Sequence, residues 1–140
     1  MADDPLSSFS QVLGSLNVQP HASQSDVEAR IRATWDPFFH ALDAMHLQAQ
    51  QKSGQLFLDQ TAPVVDAAKE TMRFQAVARF SNDRGQPLEF LLSSKDFRCV
   101  VLPDRQPFGN PLARYTPNQI DALVKALGDY FATSFMRITS

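Results

Sequence analysis

Apolar residues occupy every second position in Met72–Phe80, and arginine or glutamine fills most of the positions between them. Because side chains in a strand point alternately to its two faces, this spacing predicts a half-buried β-strand. Two more apolar segments, Leu88–Ser93 and Phe97–Leu102, follow after short links rich in turn-forming residues. Links this short join only antiparallel neighbours, so Met72–Leu102 is predicted to form an antiparallel meander of three strands, or slightly more.

Apolar residues three and four positions apart predict helices on both sides of the meander. The first helical stretch follows a capping box at Ser25–Glu28 and is interrupted by Pro37. Proline inside a helix removes a hydrogen bond, so we expect either a kink near Trp35 or two consecutive helices. The last helix is predicted to begin at Thr116–Gln119, where threonine can cap the helix and proline takes the first helical position.

Two further segments give weaker patterns. A helix of about three turns is predicted after Asp4, and it is too short to be stable alone. It is therefore expected to dock, either on its own domain or as an arm on another chain. Pro63–Glu70 predicts a short helix, and Leu56–Leu58 fits either a strand or a helical turn. The stripe of the N-terminal helix is formed by Leu6, Phe9, Leu13 and Leu16.

Together these elements predict an α+β fold in which the antiparallel meander packs against amphipathic N-terminal and C-terminal helices. Residues 1–24 are assigned to an N-terminal arm with a short amphipathic helix and a linker, and residues 25–140 to a single α+β domain. The sheet face that meets the helices is predicted to carry Met72, Phe74, Phe80, Leu88, Phe90, Phe97, Cys99 and Val101.

Composition narrows the protein class. Of the 140 residues, 44% are hydrophobic and 20% charged, which are ordinary values for a globular domain with a sizeable core. A single cysteine excludes an internal disulfide and a multi-cysteine metal site. No apolar run approaches the roughly 20 residues that cross a bilayer, and residues 1–10 lack the basic start and apolar core of a secretory signal. We therefore expect a cytoplasmic protein without a membrane partner.

No catalytic or cofactor-binding motif is present in the sequence. The five glycines are spread singly, so a glycine-rich phosphate cradle is absent, and there is no G-x-S-x-G. Cys99 is expected to face the core, where a thiol behaves as a small hydrophobe. Asp36, His40 and Asp43 share a helix face, which is typical of a solvated, charge-balanced surface. We therefore expect no cofactor and no metal, and the sequence favours a non-catalytic role over an enzymatic one without deciding between them.

The second face of the predicted sheet is mixed rather than purely polar. Arginine is enriched at protein interfaces and lysine is depleted there. This pattern predicts a non-catalytic protein–protein interaction or adaptor module that binds a protein partner, itself as a homodimer, or both. The predicted interface consists of Arg73, Val77, Arg79, Leu91, Arg98 and Val100.

The proline-rich segment Pro103–Tyr115 supports an alternative. Long ordered loops often carry binding residues, so this segment fits either a structural crossover or the site of a small-ligand-binding or enzymatic domain. The candidate ligand residues are Asp104, Arg105, Phe108, Asn110, Arg114 and Tyr115.

Charge raises one more possibility. The segment from Arg73 to Arg114 contains seven basic and four acidic residues, which gives it a net charge of +3. The rest of the chain therefore has a net charge of −5. A basic sheet can bind nucleic acid, but such sheets expose aromatic residues, and here the strand aromatics fall on the core face. The pattern therefore argues against nucleic acid. The size, acidic pI and helix–sheet–helix layout resemble those of small bacterial secretion chaperones, which implies a secretion-chaperone-like role as a further alternative.

Overall fold

The computed structural model describes residues 7–15, 23–108 and 114–140, with the backbone alone for 13–15. Among these residues the chain forms an antiparallel sheet and four α-helices, so the predicted α+β class is confirmed. The helices are α1 (Ser7–Ser15), α2 (Gln24–Thr34), α3 (Asp36–Lys52) and α4 (Ile120–Thr139), and a 3₁₀ turn at Pro117–Gln119 precedes α4. The strands are β1 (Leu56–Gln60), β2 (Val64–Asp66), β3 (Thr71–Phe80), β4 (Asp83–Arg84), β5 (Leu88–Leu92), β6 (Phe97–Val101), β7 (Gln106–Pro107) and β8 (Arg114–Tyr115).

The predicted meander is present as β3, β5 and β6, which pair in sequence order. The sheet is wider than a three-stranded meander, because the described residues contribute eight strands to it. On one side of β3, β1 pairs with its second half and β2 with its first three residues. On the far side of β6, β7 pairs with its end and β8 with its start. Short edge strands account for the extra width.

The segment predicted as a helix at Pro63–Glu70 is not helical. Val64–Asp66 is strand β2, a turn follows, and Glu70 adopts a positive φ of 54°. The backbone of β2 pairs with β3, while Asp66 Oδ1 accepts a hydrogen bond from Lys69 N at 3.1 Å within the turn. The helix prediction was wrong because the hydrogen-bond partner of these residues is a strand edge, which the local pattern does not reveal.

The helix boundaries are set by caps. The N-cap of α2 is Ser23, whose Oγ accepts a hydrogen bond from Asp26 N at 3.2 Å, so the capping box predicted at Ser25–Glu28 was wrong by two residues. The break at Trp35 is real, since α2 ends before it and α3 begins after it. The capping box at Thr116–Gln119 is confirmed.

The core lies between α2, α3 and α4 and one face of the sheet. Phe38 of α3 is fully buried, and its ring centroid lies 4.6 Å from that of Phe97 and 5.3 Å from that of Phe90. Trp35 is fully buried as well, and its Nε1 donates to Ser93 O at 2.7 Å. The predicted strand phases are confirmed by the core-face residues Met72, Phe74, Leu88, Phe90, Phe97 and Cys99, which are buried, whereas Phe80 and Val101 at the strand ends are only half-buried. The opposite face of the sheet therefore points away from these helices.

Candidate interaction face of the sheet

The sheet face opposite the helices, here called the open face, carries a row of residues in register across five strands. Val64 of β2 lies opposite Arg73 of β3, which lies opposite Leu91 of β5. Leu91 lies opposite Arg98 of β6, and Arg98 opposite Arg114 of β8. We call these five residues the cross-strand row. Neighbouring strands are roughly 4.8 Å apart, so the row is about 19 Å long.

The cross-strand row combines aliphatic and cationic side chains. Val64 is 70% exposed at one end, and Leu91 is half-buried between Arg73 and Arg98. A cavity of about 350 Å³ lies at the Val64 end of the row, and its charged lining residues are Lys69, Arg73 and Asp66. The row therefore offers apolar contacts within a cationic surface.

Two of the three arginines in the row are held by Asp96, whose side chain is only 20% exposed. Asp96 Oδ2 lies 2.8 Å from Arg114 Nη2 and 4.0 Å from Arg98 Nε. Ser93 Oγ donates to the other carboxylate oxygen of Asp96 at 3.0 Å, which fixes the carboxylate in place. Arg73 has no ion pair among the described residues. One carboxylate thus opposes three guanidinium groups, and the row keeps a positive charge.

The rest of the predicted interface lies on the same face but not in one patch. Val77 pairs with Asp59 at the far end of β3, and Gln75 lies between it and the cross-strand row. Val100 pairs with Glu89, whose carboxylate is 3.3 Å from Arg105 Nη1. Polar residues therefore separate Val77 from Leu91 and Val100.

Arg79, the remaining residue of the predicted interface, contacts residues of the neighbouring strand β1. Its Nε donates to Asp59 Oδ2, and its guanidinium carbon lies 4.2 Å from the ring centroid of Phe57. These contacts hold the arginine over β1 and leave the positive charge of the face concentrated in the cross-strand row.

The residues of the predicted ligand loop point in different directions. The segment returns along β6 as β7 and β8 instead of forming a crossover without strands. Tyr115 is 3% exposed in the core, Arg114 belongs to the cross-strand row, and Arg105 pairs with Glu89. Asp104 is exposed, and Asn110 lies outside the described residues.

Among the described loop residues, Phe108 lines a cavity that the sequence did not predict. This groove of about 640 Å³ lies between α4 and the link from β4 to β5. Its α4 residues share a helix face by their spacing, which is visible in the sequence, and include Tyr130, Thr133 and Arg137. Its second wall is Arg84–Gln86, and no local pattern predicts that this link approaches α4.

Other chemistry is weakly supported within the described part of the chain. Cys99 is fully buried, and this burial raises the pKa of its thiol well above the usual range, which disfavours the thiolate form that acts as a nucleophile. No cluster of three or more histidine, cysteine or acidic residues is arranged to hold a metal ion among the residues described. No helix in the described ranges has the length and apolar character needed to cross a membrane.

Comparison with known proteins adds no relative: no family model, curated protein or solved structure matches this chain.

Proposed function

We propose that this chain is a non-catalytic protein-binding module whose cross-strand row binds a partner segment carrying acidic and aliphatic side chains. The observation that carries the proposal is the alternation of Val64, Arg73, Leu91 and Arg98 on the face away from the helices. Domains usually bury the apolar face of an element against another layer, and α2, α3 and α4 cover the opposite face.

The chemistry of the row supports such a partner. Arginine binds carboxylates in a planar, two-bonded geometry, and it does so better than lysine. Arg73, which has no ion pair among the described residues, is the first candidate for such a contact. Full burial of an aliphatic side chain such as Val64 contributes about 1.5–3 kcal/mol. Acidic residues would therefore select the face, and aliphatic residues would anchor the segment.

A protein partner is better supported than nucleic acid. The phenylalanines of β5 and β6 are buried on the core face, so they are not available to stack on bases. Phe57 of β1 is half-buried on the open face, and its ring is covered by the Arg79 guanidinium.

The homodimer expected from the sequence stays a prediction. Two copies meeting through the same row would bring like charges together, which favours an acidic partner over a face-to-face dimer. Sedimentation of wild-type protein at several concentrations and salt strengths measures self-association directly. A dimer that survives Val64→Asp would use a different surface.

The test uses two exposed apolar residues as a matched pair. Val64 is 70% exposed on the open face, and Met136 is 65% exposed on α4. Wild-type protein and the Val64→Asp, Arg73→Glu and Met136→Asp variants are applied to arrays of acidic–aliphatic peptides and of basic–aliphatic peptides. We expect wild type and Met136→Asp to bind the acidic set, and the two row variants to bind it about tenfold more weakly.

The same four proteins serve as baits in cell extract, and each captured protein is then purified and titrated. The proposal expects partners that both row variants lose and Met136→Asp keeps, with affinities that fall as salt rises. Equal binding by all four proteins would rule the open face out as the interface, and preference for the basic peptides would rule out an acidic partner.

A further inference from the structure

We propose that the groove between α4 and the β4–β5 link binds a small apolar ligand that ends in a carboxylate. The groove lies on the helix side of the molecule, so this inference is independent of the partner proposed for the cross-strand row. Its volume of about 640 Å³ is within the range of ligand pockets, roughly 300–1,000 Å³.

The two walls of the groove are held close together by small residues. A Cβ at Gly85 would lie 3.3 Å from Ser134 Cβ, so glycine permits the link to approach the helix. Gly85 N donates to Ala78 O at 2.9 Å, which ties the link to β3. The shape of the groove is therefore set by backbone and packing and is formed before any ligand binds.

Aromatic rings form the apolar part of the groove. The rings of Phe108 and Tyr130 meet edge to face, with centroids 5.3 Å apart. Tyr130 Oη donates to Gln86 O at 2.8 Å, and burial raises the pKa of its hydroxyl, so this group stays a protonated donor at neutral pH. The hydrogen bond fixes the tyrosine ring against the second wall, and a ligand would meet an aromatic surface already in place.

Charge decides which ligand fits. Arg84 and Arg137 line the groove, both are exposed, and neither has an ion pair among the described residues. Asp129 is the one carboxylate among the described lining residues, which therefore have a net positive charge. A carboxylate on the ligand complements the two arginines, and its apolar body complements Phe108 and Tyr130. An uncharged ligand would leave the arginines unused, and a cationic ligand would be repelled.

The probes are decanoate and its uncharged counterpart decanol, titrated into the ¹⁵N-labelled full chain. We expect decanoate to shift the amide signals of Gly85, Gln86 and the Thr133–Ile138 turn of α4, and to bind about tenfold more tightly than decanol. Equal affinity for the two probes would overturn the carboxylate assignment. Shifts confined to the open face, or no binding of decanoate at millimolar concentration, would overturn the site.

Two pairs of variants test separately how the charge and the shape of the groove contribute to ligand binding. Arg137→Gln is expected to weaken decanoate about tenfold and leave decanol unchanged, while Arg73→Gln on the open face leaves both unchanged. Thr133→Trp places a large ring in the groove and should abolish binding of both probes. Ala132→Trp, on an exposed position of α4 outside the groove lining, should abolish neither. Parallel effects within either pair would contradict the proposal.

Discussion

The chemistry of Cys99 is decided by its place in the sheet. It lies opposite Phe90 on the core face, and its burial raises the pKa of the thiol far above the usual value of 9.0. In the unfolded chain the thiol ionises near that value. The unfolded state alone therefore loses this proton as the pH rises above 9.0, and the folded state becomes less stable by up to about 1.4 kcal/mol per pH unit.

Urea unfolding followed by Trp35 fluorescence, on both sides of pH 9.0, measures this loss. Cys99→Ala is the control, since it removes the ionising group while keeping a small apolar side chain. We expect the variant to fall less steeply than wild type above pH 9.0. Parallel curves for the two proteins would mean that the thiol ionises equally in the folded and unfolded states.

His46 supports the edge of the sheet. Its Nδ1 accepts a hydrogen bond from Leu58 N at 3.1 Å, and Leu58 belongs to the edge strand β1. His46→Ala removes this acceptor, so we expect the free energy of unfolding to fall by about 1–3 kcal/mol. His40 is the matched control on the same helix, because its Nε2 lies 3.4 Å from Asp36 Oδ1 and both side chains are exposed.

His40→Ala is expected to lower the free energy of unfolding by less than about 1 kcal/mol, since an exposed ion pair contributes little. Equal losses in the two variants, measured by urea unfolding, would show that the bond to Leu58 N adds nothing. The contact of His46 with a strand edge exists only in the folded chain, so the helix sequence alone does not separate His46 from His40.

At the scale of elements, the sequence predicted those whose signal lies within their own residues. The alternation in Met72–Phe80 gave both strand β3 and its faces, and the Thr116–Gln119 capping box gave the start of the last helix. It failed for β2, β7 and β8, which are two or three residues long and exist through pairing with β3 or β6. Such strands have no period to detect.

The sequence also failed to predict the groove, because its second wall approaches α4 only in the folded chain. A substitution at Gly85 tests the contact between the two walls. A methyl group there would lie 3.3 Å from Ser134 Cβ, which is closer than ordinary van der Waals contact, so α4 or the link must move by a few tenths of an ångström. Gly85→Ala is therefore expected to lower the free energy of unfolding by about 1–3 kcal/mol. Gly54→Ala is the control, because nothing lies within 4 Å of an added Cβ there.

The control substitution is expected to be neutral or to stabilise by up to about 1 kcal/mol, because alanine restricts the unfolded chain. Chemical unfolding of both variants measures the difference. If Gly85→Ala is as stable as Gly54→Ala, the link does not pack tightly on α4, and the groove has no fixed width.

At the scale of the whole molecule, the basic part of the chain coincides with the sheet layer. The helices cover one face of the sheet, and the arginine-rich segment lies on strands whose second face they leave uncovered among the described residues. The sequence predicted this separation because the +3 segment coincides with the strands. It did not predict how Asp96 and Glu89 would pair with individual arginines, since those partners meet across turns and neighbouring strands.

The N-terminal arm is expected to contribute little to the stability of the domain. The side chains of Ser7–Val12 in α1 are exposed, Phe9 by 61%, and no described residue of α1 belongs to the buried core. Removing residues 1–22 is therefore expected to change the free energy of unfolding by less than about 1 kcal/mol. A larger loss would mean that the arm docks on its own domain.

Removing residues 1–24, at the boundary predicted from the sequence, also removes the Ser23 cap and the bond from Gln24 Nε2 to Val65 O at 3.3 Å. Loss of an N-cap costs about 0.5–2 kcal/mol, so the chain that begins at Ser25 should unfold at a lower urea concentration than the chain that begins at Ser23. Ser25 and Glu28 have the spacing of a capping box and can replace part of the lost cap, which places the expected loss near the lower end of that range. Identical midpoints for the two truncated chains would show that Ser25 caps α2 as well as Ser23 does, and that the domain begins where the sequence pattern placed it.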